Sequence, residues 1–66
     1  MNLRWTDVTD IAIELDEAHP DLDPMSVNFV DLMQWVMALP GFEDDESHCG
    51  EKVLEAIQAA WIEERS

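Results

Sequence analysis

The amino-acid sequence predicts an all-α fold, a small three-helix bundle formed by one domain over residues 1–66. Three observations lead there. Proline and glycine interrupt the chain from His19-Pro20 to Asp23-Pro24 and again at Pro40-Gly41, dividing it into three segments. Within each segment apolar residues recur at steps of three and four, the spacing of one helical face. No window combines period-two alternation, β-branched enrichment and hairpin turn signals, so a substantial sheet is not expected.

The first segment predicts a helix over about residues 7–18, with Trp5, Val8, Ile11, Ala12 and Leu15 on its apolar side. Asp7, Asp10, Glu14 and Glu17 recur with the same period about another face, giving an acidic stripe. Thr6 or Asp7 is expected to cap this helix, and Pro20 biases His19 away from helical geometry. Asp23-Pro24 then reads as the start of a single turn. Asn28, with Asp31 three residues on, should cap a second helix over 29–39 whose inward stripe is Phe29, Leu32, Met33, Val36 and Leu39. Trp35 and Met37 flank that stripe, and Pro40-Gly41 ends it. A third helix is expected over 49–64, capped by Ser47, with Val53, Leu54, Ile57, Ala60 and Trp61 facing inward. Leu15, Leu32, Val36, Leu54 and Ile57 are the predicted buried centre. Met25, Met33 and Met37 can be read as an adaptable binding surface, but helical spacing favours core packing for them as for Trp35 and Trp61, whereas Trp5, near a terminus, is a candidate for half exposure at an interface.

Composition narrows function. Three basic residues, Arg4, Lys52 and Arg65, stand against sixteen carboxylates, for a formal charge of -13. Binding to nucleic acid or anionic lipid needs lysines and arginines to neutralise phosphates, so DNA, RNA and membrane surfaces are poor partners. Hydrophobic content of 47% with three tryptophans argues against disorder. A lone cysteine, Cys49, makes no internal disulfide, and no secretory or membrane-spanning pattern is evident, so a cytoplasmic location is expected.

Carboxylates are the main chemical resource. Glu43, Asp44, Asp45 and Glu46 are consecutive, and Asp21 and Asp23 flank Leu22. Hard cations prefer such oxygen ligands, which makes Asp21, Asp23, Glu43, Asp44 and Asp45 the candidate metal contacts, although acids near helix N-termini are as readily explained by solvation and the helix dipole. The segment from Asp21 is not an EF-hand loop, because its sixth position is Ser26 and its twelfth is Leu32. His19, His48 and Cys49 lack the spacing of a zinc site. Acids around Cys49 should raise rather than lower its thiol pKa. With neither a nucleophile constellation nor a glycine-rich phosphate loop, an enzyme is not expected.

Taken together, several motifs resemble the IscX family, small acidic proteins of bacterial iron-sulfur cluster assembly. They are Trp5-Thr6-Asp7, Pro20-Asp21-Leu22-Asp23-Pro24, Val27, Phe29, Asp31 and Trp35 in order, Phe42 with Asp44-Asp45, and Glu51-Lys52 followed by Leu54-Glu55-Ala56-Ile57 and Trp61. The resemblance runs nearly end to end. It implies a winged-helix-like helical domain that binds the basic surface of a cysteine desulfurase near its active site, overlapping the docking region of frataxin and ferredoxin. It also implies modulation of sulfur transfer without chemistry of its own, weak iron binding through surface carboxylates, and no tightly bound cofactor. On this reading the partner face comprises Asp7, Asp10, Glu14, Glu17, Asp21, Asp23, Asp44 and Asp45, and the chain is a monomer. His19, Glu46 and Cys49-Gly50 depart from the family pattern. Two alternatives stand beside it: an iron carrier or sensor, and a nucleic-acid mimic that blocks a DNA-binding protein.

Overall fold

The computed structural model describes residues 2–66. Three α-helices follow one another: α1 over Val8–Ala18, α2 over Phe29–Met37 and α3 over Glu51–Arg65, with a short 3-10 turn at Glu46–His48 ahead of α3. This is the expected three-helix bundle, and every boundary falls within two residues of its sequence-based position. Among the described residues the only β pairing is one isolated parallel bridge between Leu3 and Phe42, so no hairpin of the kind a wing would need accompanies the helices.

Local chemistry explains the boundaries. Asp7 occupies the cap position of α1, but its backbone (φ -86°, ψ 57°) does not aim the carboxylate into the helix. Its Oδ2 instead accepts the Arg4 N-H at 2.9 Å, and its own N-H closes the turn onto the Arg4 carbonyl, so the expected Thr6 or Asp7 side-chain cap is replaced by a turn that leads into the helix. Asn28 does cap α2: its extended backbone lets Oδ1 accept the Asp31 N-H at 2.8 Å while Nδ2 donates to the Asp31 carboxylate. That helix ends at Met37, two residues early, because Leu39 precedes Pro40 and is sterically kept from helical geometry. Gly41 then takes φ 83°, a left-handed conformation that costs glycine little.

Ser47 does not cap α3. Asp45 accepts the Ser47 N-H at 3.0 Å and closes the 3-10 turn, Cys49 is extended, and Gly50 becomes the cap position. The Asp23-Pro24 segment forms the single turn expected of it, with the Asp23 carboxylate accepting from the Met25 N-H and the Ser26 hydroxyl.

The core lies chiefly between α1 and α3, the most closely packed pair, with α2 laid across both. Its buried residues are Ile11, Ala12 and Leu15 from α1, Leu32 and Val36 from α2, Leu54, Ile57 and Trp61 from α3, and Leu3, Trp5 and Leu39 from the connecting segments. All five residues of the predicted centre are therefore inside. Three sequence-based expectations are corrected. Trp5 is buried, because it is pinned from both backbone and ring. Trp35 is only half-buried, set edge-on to Trp61 at 6.4 Å and tilted against the His19 ring at 5.1 Å. Of the methionines read as core, Met33 packs against it while Met25 and Met37 are exposed.

Candidate protein-docking surface

The acidic surface is organised around α1, and each end of that helix is tied to a distant part of the chain. At its N-terminal end, the Leu3 N-H donates to the Gly41 carbonyl at 2.7 Å and the Glu43 N-H to the Leu3 carbonyl at 2.8 Å. Trp5 then docks on the acidic loop: its N-H donates to Asp44 Oδ2 at 3.1 Å, its indole N-H to the Asp45 carbonyl at 2.8 Å, and its ring meets Phe42 edge-on at 4.8 Å. The other Asp44 oxygen accepts from the Asp45 N-H and from His48 Nδ1, each at 2.7 Å. Asp44 thus has both oxygens engaged, and its side chain is only 11% exposed.

These bonds shift two pKa values in opposite directions. The His48 hydrogen bond, followed by those from the Trp5 and Asp45 N-H groups, lowers Asp44 from 3.8 to about 2. The same carboxylate raises His48 above 6.5, by hydrogen bonding first and charge second. Cys49 is also raised, as the sequence suggested, although burial is the larger cause and Glu46 the smaller. Its thiolate is disfavoured.

At the C-terminal end of α1, Arg65 gathers three acceptors. Its Nε donates to the Asp16 carboxylate at 2.8 Å, its Nη2 to the His19 carbonyl at 3.1 Å, and its Nη1 to the Leu22 carbonyl. The guanidinium also lies 5.9 Å above the Trp61 ring. A cation at the negative end of α1 is favourable for the helix dipole. This arrangement was not read from the sequence, where Arg65 appears only as a lone basic residue in an acidic last turn.

Between the two ends runs the solvent face of α1. Asp10 and Glu17 are exposed and Glu14 half-buried, and none has a hydrogen-bond or ion-pair partner among the described residues. Of the sixteen carboxylates, only Asp16 and Asp44 form ion pairs among the described residues. The candidate metal residues separate into two groups. Asp21 and Asp23 follow the C-terminal end of α1, while Glu43, Asp44 and Asp45 gather at its N-terminal end through Trp5. A helix of 11 residues spans roughly 16 Å, so one ion cannot touch both groups. Among the described residues no three His, Cys, Asp or Glu side chains converge to hold a metal. No helix there is long and apolar enough to cross a membrane.

Comparison with known proteins gives the family. A family model described as iron-sulphur cluster assembly matches residues 3–66. An uncharacterized protein of Pseudomonas aeruginosa is 68% identical over 65 residues, covering 98% of each chain. The motifs that carried the resemblance all fall within the matched span, and the chain therefore belongs to the IscX family of iron-sulphur cluster assembly proteins.

Proposed function

We propose that the protein is an acidic adaptor of iron-sulphur cluster assembly that docks on the basic surface of the pathway's cysteine desulfurase and modulates sulfur transfer. One observation carries this reading: among the described residues Asp10, Glu14 and Glu17 of α1 have no partners, while Arg65, the arginine at the C-terminal end of that helix, is spent on Asp16 and two carbonyls. The resulting field is negative along the whole face. Such a field steers encounter with a basic surface and fixes orientation more than it supplies affinity.

Asp10, Glu14 and Glu17 form the centre of the proposed face, with Asp7 and Asp45 toward one end and Asp21 and Asp23 toward the other. Asp44 serves it by holding the loop. Frataxin and ferredoxin, if they use the same basic region, compete with this protein in the cytoplasm, where it acts as a monomer. Iron is a weak effector in this scheme, contacting Asp21 and Asp23 or Glu43 and Asp45 separately, because neither group supplies the convergent ligand set of a tight site.

The test is a binding titration with the desulfurase from low to high salt, alongside a variant reversed at Asp10, Glu14 and Glu17 together. Each exposed pair contributes about 0–1 kcal/mol, so affinity should fall steadily with salt and the triple reversal should abolish it at low salt while helical circular dichroism persists. Salt-independent binding that survives the reversal would rule out electrostatic docking.

A further inference from the structure

At the Asp21 and Asp23 end of the acidic face lies an open groove of about 390 Å³, lined by Leu22, Pro24, Met25 and Ile62 and edged by Asp21 and Asp23. Its most exposed apolar member is Met25, with 73% of its surface in solvent. Exposure of a large apolar residue is ordinary for a loose loop, but this loop is fixed on every side. The Asp23 carboxylate holds the Met25 N-H and the Ser26 hydroxyl, Gln58 of α3 donates to the Pro24 carbonyl at 2.9 Å, and Arg65 holds the Leu22 carbonyl. The methionine is therefore presented from a preformed platform. Ordering costs at such a platform are met in the free protein, which favours binding.

We infer that this groove receives one bulky apolar side chain from a lysine- and arginine-rich segment of a protein partner, with Met25 as its contact and Asp21 and Asp23 pairing with the flanking cations. Charge selects this occupant. Arg65 lines the groove, yet its guanidinium is already engaged with Asp16 and two carbonyls, leaving the acidic rim to set the local sign. A second copy of the chain would bring another formal charge of -13, and an anionic lipid surface would be repelled in the same way. The open shape suits a side chain lying across it rather than an enclosed small molecule, and a flexible thioether adapts to the shape it meets. The inference rests on the adaptor reading and adds to it a salt-resistant anchor, of the kind that a few buried apolar contacts supply at interfaces.

Two measurements test it. In the first, desulfurase binding is titrated at low and high salt with the native protein, Met25→Ser and Met37→Ser, the last an exposed methionine outside the groove. Met25→Ser should weaken binding about tenfold at both salt concentrations, equivalent to about 1.4 kcal/mol, and Met37→Ser should leave it unchanged. In the second, methyl NMR follows Met25 during addition of a lysine/arginine octapeptide carrying one central leucine, or alanine in its place. The leucine peptide should shift the Met25 methyl and the alanine peptide should not. If the desulfurase fails to bind at all but the leucine peptide selects Met25, the adaptor reading falls and the groove stands. If the desulfurase binds Met25→Ser as well as native protein, and both peptides act alike, the groove is overturned and electrostatic docking remains.

Discussion

The two ends of α1 solve the same problem with different chemistry. Each must join a helix of only 11 residues to a chain segment forty to fifty residues away. At the N-terminal end the joint is largely apolar, made by a buried tryptophan whose polar atoms are satisfied by Asp44 and the Asp45 carbonyl. At the C-terminal end it is a half-exposed guanidinium that serves a carboxylate and two backbone carbonyls. The difference teaches how a chain with three basic residues spends them. A single arginine is placed where three acceptors converge, and the other end is closed by area and neutral donors, so the acids of the intervening face stay unpaired.

Replacing the joints should therefore have unequal costs. Trp5→Ala deletes a buried ring, its edge-on contact with Phe42 and the donor to the Asp45 carbonyl. A loss of about 3–5 kcal/mol is expected, enough to unfold much of a domain this small, and chemical denaturation would measure it. Arg65→Ala removes bonds from a partly solvated group and should cost less, about 1–3 kcal/mol. Arg65→Lys should recover only part, because an ammonium cannot reach three divergent acceptors as a planar fork does. Equal losses for Trp5→Ala and Arg65→Ala would show that burial does not distinguish the two ends.

The ends also differ in their response to pH. Asp44, lowered to about 2, contributes stability that is fully present above its ordinary 3.8 and is lost as pH falls through the folded value. His48, raised from 6.5, contributes stability that is fully present below 6.5 and is lost as pH rises through its higher folded value. Their pairing is thus strongest between 3.8 and 6.5. His48→Gln should lower the melting temperature most within that window and progressively less at alkaline pH. Arg65→Ala should show no corresponding alkaline recovery, because a guanidinium stays charged throughout. Melting curves of both variants across pH would check the contrast, and a His48→Gln difference that grew with rising pH would reverse the assigned sign.

How far the sequence reveals these joints depends on the distance over which each is built. Periodicity located the helices and placed Leu15, Leu32, Val36, Leu54 and Ile57 inside, because residues three or four apart share a face whatever they pack against. It set Trp5 on the apolar side of the first helix without showing how deeply it is buried, and it did not place Leu3; both lie outside any helix and acquire their burial from residues 41–45. The need of a buried indole for an acceptor was a usable signal, answered for Trp5 by the Asp45 carbonyl and left unmet for Trp61, whose Nε1 has no partner among the described residues. Acidic residues were legible as a stripe on α1, yet nothing local separated Asp44, which is consumed by the fold, from its neighbours. The groove was hidden for the same reason. Its walls come from residues 21–25 and 62–66, and only the tertiary structure brings them together.

The smallest expected effects sharpen the comparison within α1 itself. Asp10 lies in the first turn, where a negative charge faces the positive end of the helix dipole, whereas Glu17 lies in the last turn, where the dipole opposes it. Asp16, its neighbour, escapes that penalty by pairing with Arg65, but Glu17 has no such partner among the described residues. Both Asp10 and Glu17 are exposed, so packing contributes little to either substitution. Asp10→Asn should accordingly destabilise the fold by about 0.3–1 kcal/mol, while Glu17→Gln should stabilise it by a few tenths of a kcal/mol at low ionic strength. Removing either charge also relieves the repulsion of a chain at -13, which adds to the gain at Glu17 and subtracts from the loss at Asp10. The sign of the effect at each position separates the two contributions, while screening by salt should shrink both differences together. Denaturation of the two variants at low and high salt would measure this directly: opposite signs that converge with added salt support the dipole account, and equal gains at both positions would leave net charge as the sole cause.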